Sequence, residues 1–199
     1  MKLRSVVLLV APVAVLAAGG CQSKPKKQRV EPPSTESVVA GKGVVLALKK
    51  NLRTALEKEL PNGAANALTA CNAMAPALTE QLARDGVMVG RVTRKPRNPK
   101  NVPAGWTEDA MARFEKMKTQ GKLVDGMTYA RRLPDGRTAY AEPLLVQDMC
   151  LACHGAEVAP DVKAVLAEKY PGDQATGYAV GDLRGLAWVE LPATVTTRR

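Results

Sequence analysis

The chain has one histidine, one phenylalanine and only 4% aromatic residues among its 199. So few rings leave little with which to fill a core, which predicts that a bulky bound group occupies part of it. The single histidine, His154, means that no second imidazole can come from this polypeptide. An enzyme that needs a distal histidine as acid and base is therefore disfavoured. No apolar run reaches the ~20 residues of a membrane-spanning helix, and there is no internal repeat. Acidic residues are also under-represented, 19 Asp+Glu against 29 Lys+Arg, for a formal charge of +10. With the export signal described below, that surplus points to anionic lipid or an acidic redox partner and not to nucleic acid.

What is present centres on Cys150-Leu151-Ala152-Cys153-His154, followed by Gly155. In an exported chain, C-x-x-C-H reads as covalent attachment of one c-type haem. Each thiol can form a thioether with a haem vinyl group, and the next residue supplies the proximal imidazole to the iron. A structural zinc site would need four ligands, and only Cys71, Cys150, Cys153 and His154 are available. The adjacent pair Cys153 and His154 would rarely share one small tetrahedral ion. A thioredoxin-like pair would sit beside a βαβ pattern, which the sequence does not have.

The export signal is at the start. Lys2 and Arg4 precede an apolar stretch from Ser5 to Ala18, too short to span a bilayer but suited to a signal peptide. It ends Leu16-Ala17-Ala18-Gly19-Gly20-Cys21, which resembles a bacterial lipobox with Ala18 where leucine is commoner. The expected organisation is a signal peptide over 1–20, a lipidated flexible tether over 21–36 and one domain over 37–199. Cys21 would carry the lipid, anchoring a periplasmic protein to a membrane. The tether, rich in Lys, Gln, Pro and Ser, lacks the apolar residues needed to fold.

With Cys21, Cys150 and Cys153 assigned, Cys71 is left as an odd thiol in an oxidising compartment. It lies in an alanine-rich stretch where Ala64, Ala67, Leu68, Cys71, Ala75 and Leu78 share a helical face. Such a face lets a flat group approach the backbone closely, so Cys71 is a candidate sixth ligand to the iron. Met74, one turn on, is the rival, and a buried structural thiol is the alternative to both.

Elsewhere the pattern predicts a helix from a cap at Ser37 to about Leu60, broken by Pro61-Asn62-Gly63, and the alanine-rich helix to about Arg84. A strand over Val87–Thr93 leads into a proline-punctuated loop, Arg94–Gly105, and Thr107 caps a helix to about Thr119. Met127–Leu133 and Arg137–Leu145 read as a hairpin about Pro134-Asp135-Gly136. The haem motif then sits on a short helix, and another helix runs from Asp161 to Lys169. Gly177–Val180 and Leu186–Leu191 suggest a closing hairpin. Helices at the front and strands in hairpins argue for α+β with an antiparallel sheet.

Over about residues 40–191 the sequence resembles the PAS-like c-type haem domain family. The resemblance is carried by Ala70-Cys71-Asn72, by Val89-Gly90-Arg91-Val92-Thr93 entering Arg97-Asn98-Pro99-Lys100-Asn101-Val102-Pro103, and by Gly105-Trp106. It continues through Glu142-Pro143-Leu144, the Cys150–Gly155 motif, Tyr170-Pro171-Gly172-Asp173-Gln174-Ala175-Thr176-Gly177-Tyr178 and Gly181-Asp182-Leu183-Arg184-Gly185. It implies a five-stranded antiparallel sheet flanked by helices, with an N-terminal helical segment and haem held between that segment and the sheet. It also implies axial ligation by His154 and Cys71. Such domains occur alone or as the extracytoplasmic input of sensor kinases. This chain departs from the sensor arrangement, since only a short tail follows Leu191.

Arg91, Arg94 and Arg97 are candidates to pair with the haem propionates, since guanidinium matches carboxylate bidentately. Asp182 and Arg184 would pair with each other or make a turn, and Tyr178 and Trp188 read as packing residues. Two functions follow. One is a low-potential, one-electron carrier serving a periplasmic redox partner. The other is a sensing module in which a labile Cys71–iron bond responds to potential or to a small diatomic ligand such as NO or CO. Either is electron transfer or sensing, not substrate turnover.

Overall fold

A computed structural model describes residues 31–193. The signal peptide, Cys21 and most of the tether lie outside the described residues. No helix among the described residues is long and apolar enough to cross a membrane.

The first helix, α1 (Thr35–Glu59), is capped by Ser34, whose hydroxyl oxygen accepts from the Ser37 amide at 3.1 Å. The cap falls three residues before the expected one, because the Ser34 hydroxyl takes up the Ser37 amide and leaves Ser37 inside the helix, which runs straight through Gly41 and Gly43. Gly41 has a packing reason: a Cβ there would lie 2.8 Å from Cβ of Tyr140. Glycine therefore lets α1 rest directly on the sheet. A short 3-10 turn over Leu60–Asn62 separates α1 from α2 (Ala64–Glu80). The second helix stops before the expected Arg84, and the chain turns through positive φ at Asp85 and Gly86.

Four strands follow, β1 (Met88–Val92), β2 (Tyr129–Arg132), β3 (Thr138–Leu145) and β4 (Leu183–Leu191). They form one antiparallel sheet in the order β1-β4-β3-β2. The predicted hairpin β2–β3 is present. The fifth strand is not: Gly177–Val180 contributes only an isolated bridge between Tyr178 and Gly155. Its amides are taken up elsewhere, from Gly177 N to Gly155 O at 2.8 Å and from Tyr178 N to His154 O at 2.9 Å. The segment wraps the C-x-x-C-H turn instead of extending the sheet.

Period-two burial gives the sheet two apolar faces. On one, Val45 and Leu48 of α1 pack on Val89, Tyr140, Ala187 and Val189. On the other, α3 (Trp106–Thr119) packs Ala110, Met111 and Phe114 on Val92, Ala141 and Leu186. Phe114, the sole phenylalanine, is fully buried, so truncating it to alanine costs about 3–5 kcal/mol. A third cluster joins Leu68 of α2 to Val162 and Leu166 of α5 (Pro160–Lys169), with Cys153 against it. The fold is thus α+β, with helices on both faces of an antiparallel sheet.

Candidate functional site

The C-x-x-C-H motif leaves β3 through a 3-10 turn, Asp148–Cys150, and forms a single helical turn, α4 (Leu151–His154). Helical winding brings residues three apart to one face, so Cys150 and Cys153 both reach the same cavity wall. Gly155 ends the turn. A Cβ there would lie 2.7 Å from the Leu151 carbonyl oxygen, so only glycine fits without backbone movement.

Nδ1 of His154 lies 2.6 Å from the Ala175 carbonyl oxygen. A carbonyl only accepts, so Nδ1 carries the proton and Nε2 keeps its lone pair, the form a metal-bound histidine takes. Burial, then the Arg184 and Arg97 charges, push the His154 imidazole down to about 3, which keeps it neutral at pH 7. A neutral imidazole is the ligating species. Nη2 of Arg97, 3.5 Å from the protonated Nδ1, is a neighbour and not a hydrogen-bond donor to it.

The segment that carries Ala175 is itself clamped by the loop after β1. Arg97 donates from Nη2 to the Cys153 carbonyl at 2.6 Å and from Nε to Oδ1 of Asp173 at 3.1 Å. Asp173 also accepts from the Ala175 amide at 3.0 Å. Both partners of this ion pair are nearly buried, at 11% and 8% exposure. The Gln174 amide donates to the Pro96 carbonyl, and Nζ of Lys95 donates to the Thr176 carbonyl. The Tyr178 ring then stands perpendicular to the His154 ring at 6.3 Å.

The motif faces a cavity of about 1440 Å³ that lies between α1, α2 and the sheet and extends past the edge strand β1 to Trp106 and Trp188. This exceeds the ~300–1,000 Å³ of ordinary small-molecule pockets. Leu48, Leu52 and Leu68 make its wall apolar, and Ala75 keeps the α2 side low. Cys71 lines it from α2, whereas Met74 does not. Burial pushes the Cys71 thiol up, and the nearby Arg91 guanidinium pulls it back down. Arg91 is surrounded by protein yet keeps open surface, because that surface belongs to the cavity.

Cys71, Cys150, Cys153, His154, Arg91 and Arg97 thus all line one space. Arg94 does not: it turns outward to Glu108 at 2.6 Å and Glu115 at 2.9 Å. Arg97 lines the cavity but is engaged by Asp173. Among the described residues no group of three or more His, Cys, Asp or Glu side chains is arranged to hold a metal ion by itself. The four potential zinc ligands therefore do not converge.

Arg184 does not pair with its expected partner Asp182, which pairs instead with Lys118 at 3.3 Å. Arg184 lines the cavity, and its Nε is buried with no hydrogen-bond partner. That orphaned donor, with Arg91 beside the same space, gives the cavity an anion-seeking end opposite its apolar wall. Two thiols, one neutral imidazole and this charge pattern fit a large, flat, metal-bearing ligand with carboxylate substituents.

The fold and site thus define an α+β domain built around one large ligand cavity with a C-x-x-C-H turn in its wall. The chain belongs to the Tll0287-like family, whose model matches residues 27–192. It is also similar to a solved structure described as the cyanobacterial heme-protein Tll0287. That match has 27% sequence identity, a TM-score of 0.63, and covers 81% of this chain and 98% of the other. No curated protein matches the sequence.

Proposed function

We propose that the protein binds one haem c, attached through Cys150 and Cys153 and ligated axially by His154 and Cys71, and that it works as a low-potential, one-electron carrier. The observation that carries this reading is the shared cavity: Cys150 lines it from the 3-10 turn, Cys153 and His154 from α4, and Cys71 from α2. The similarity to a heme-protein over nearly all of its length supports the choice of ligand. Bound haem would supply a one-electron ferric/ferrous couple.

The chain's own residues do the rest. Ala175 fixes the His154 tautomer, and the Arg97–Asp173 pair fixes Ala175. The leucines of α1 keep water from the ring face. A thiolate from Cys71 donates electron density and favours the ferric state. Cys150 and Cys153 would hold the group through thioethers, each supplying its sulfur to one vinyl carbon and its thiol proton to the neighbouring one.

Upstream of the domain, the lipobox-like segment ending at Cys21 supports a lipid-anchored, periplasmic location with a redox partner in that compartment. A second reading, haem-based sensing in a PAS-like domain, draws on Cys71 itself. On that reading the Cys71–iron bond would loosen on reduction and open a site for NO or CO.

The experiment is co-expression with a haem-attachment system, followed by a haem stain of the denatured protein. Haem that stays with the wild-type chain but leaves Cys150→Ser/Cys153→Ser supports the reading. Haem stripped from the wild type by acid–acetone overturns covalent attachment.

A further inference from the structure

We propose that Arg91 and Arg184, which line the same cavity, form a clamp for two carboxylates on one ligand. On the haem reading above, on which this rests, those carboxylates are the two propionates. Three guanidiniums gather at one end of the cavity, Arg91, Arg97 and Arg184, close enough that Arg184 feels the charge of both others. One of them, Arg97, has a carboxylate, in Asp173. Arg184 donates from Nη1 to Oγ1 of Thr93 at 2.8 Å and to the Lys95 carbonyl at 3.2 Å, both neutral, and its buried Nε has no partner. Among the described residues no carboxylate pairs with Arg91, whose surroundings are Cys71 and Tyr170.

Arginine does not lose its proton in proteins, and the buried Nε of Arg184 is a donor left without an acceptor, which is costly. The arrangement therefore calls for an anion, and the count is specific: two guanidiniums without a carboxylate match two propionates. The two residues come from neighbouring strands. Val92 pairs with Leu186 across β1 and β4, which sets Arg184 just beyond the end of the register and Arg91 just inside it. A ligand with its apolar ring against Leu48, Leu52 and Leu68 would turn both carboxylates toward this one end. Arg94 and Arg97, whose carboxylate partners come from the chain itself, are left out.

The test is resonance Raman spectroscopy and potentiometry on haem-loaded protein, comparing wild type with Arg91→Gln, Arg184→Gln, Arg184→Lys and the surface control Arg94→Gln. Absorbance of the wild type is read first; a protein without haem contradicts the proposed function and not the clamp. In loaded protein, each glutamine variant should shift the propionate bending band. Each should also move the ferric/ferrous equilibrium at least tenfold toward ferric, about 59 mV for one electron. Arg184→Lys keeps the charge but not the fork, so its potential stays near wild type while the band still moves. Arg94→Gln should change neither. Loaded Arg91→Gln and Arg184→Gln proteins with wild-type bands and potentials would overturn the clamp.

Discussion

Nδ1 of His154 donates to the carbonyl of Ala175, 21 residues later in the chain, over 2.6 Å. That bond decides which ring nitrogen faces the cavity, and it stands on a chain of further contacts. Asp173 holds the Ala175 amide with one oxygen and the Arg97 guanidinium with both, and Arg97 in turn donates to the Cys153 carbonyl. The His154 ring is thus oriented by an ion pair that never touches it through a hydrogen bond.

Asp173→Asn should break that pair while keeping its shape. Leaving Arg97 buried without its carboxylate costs about 3–5 kcal/mol of stability, visible as a lower midpoint in urea. The loosened Ala175 carbonyl should also shift the reduction potential of loaded protein. A variant with wild-type midpoint and potential would show that the pair positions nothing.

Gly155→Ala places a methyl group 2.7 Å from a backbone oxygen that has no rotamer to retreat into. The turn must open, which pulls His154 away from the Ala175 carbonyl. The expected result is a several-fold drop in haem loaded per chain, measured from the ratio of Soret to protein absorbance. Normal loading would mean that the turn tolerates a Cβ.

Met74→Leu should leave the ferric absorption spectrum of loaded protein unchanged, because Met74 does not line the cavity. A shift in the ligand-sensitive bands would restore methionine as the sixth ligand.

How far these features could be read in advance depended on how local they were. The C-x-x-C-H turn, the β2–β3 hairpin and the alanine-rich helix are written in neighbouring residues, and each forms, although the helix ends at Glu80, short of Arg84. Cys71 and Met74 are three residues apart on one helix and therefore nearly in phase; only the packing of α2 separates them. Arg97 and Asp173 are 76 residues apart, so no local rule could show that this arginine was already paired. The strand expected at Gly177–Val180 failed for a related reason. Its residues look extended, but which carbonyls take its amides is set by the motif it wraps. Arg184 was hidden by Asp182 two residues before it, whose carboxylate goes to Lys118 instead.

The proposed function stands or falls on His154 of α4 and Cys71 of α2 holding the iron between them in one cavity. Low-temperature EPR of the ferric holoprotein, with Cys71→Ala beside it, tests this most directly. The account predicts a low-spin thiolate signal in the wild type that is lost in the variant. A variant spectrum identical to wild type would contradict it, and would leave Cys71 as a packing residue in the α2 wall.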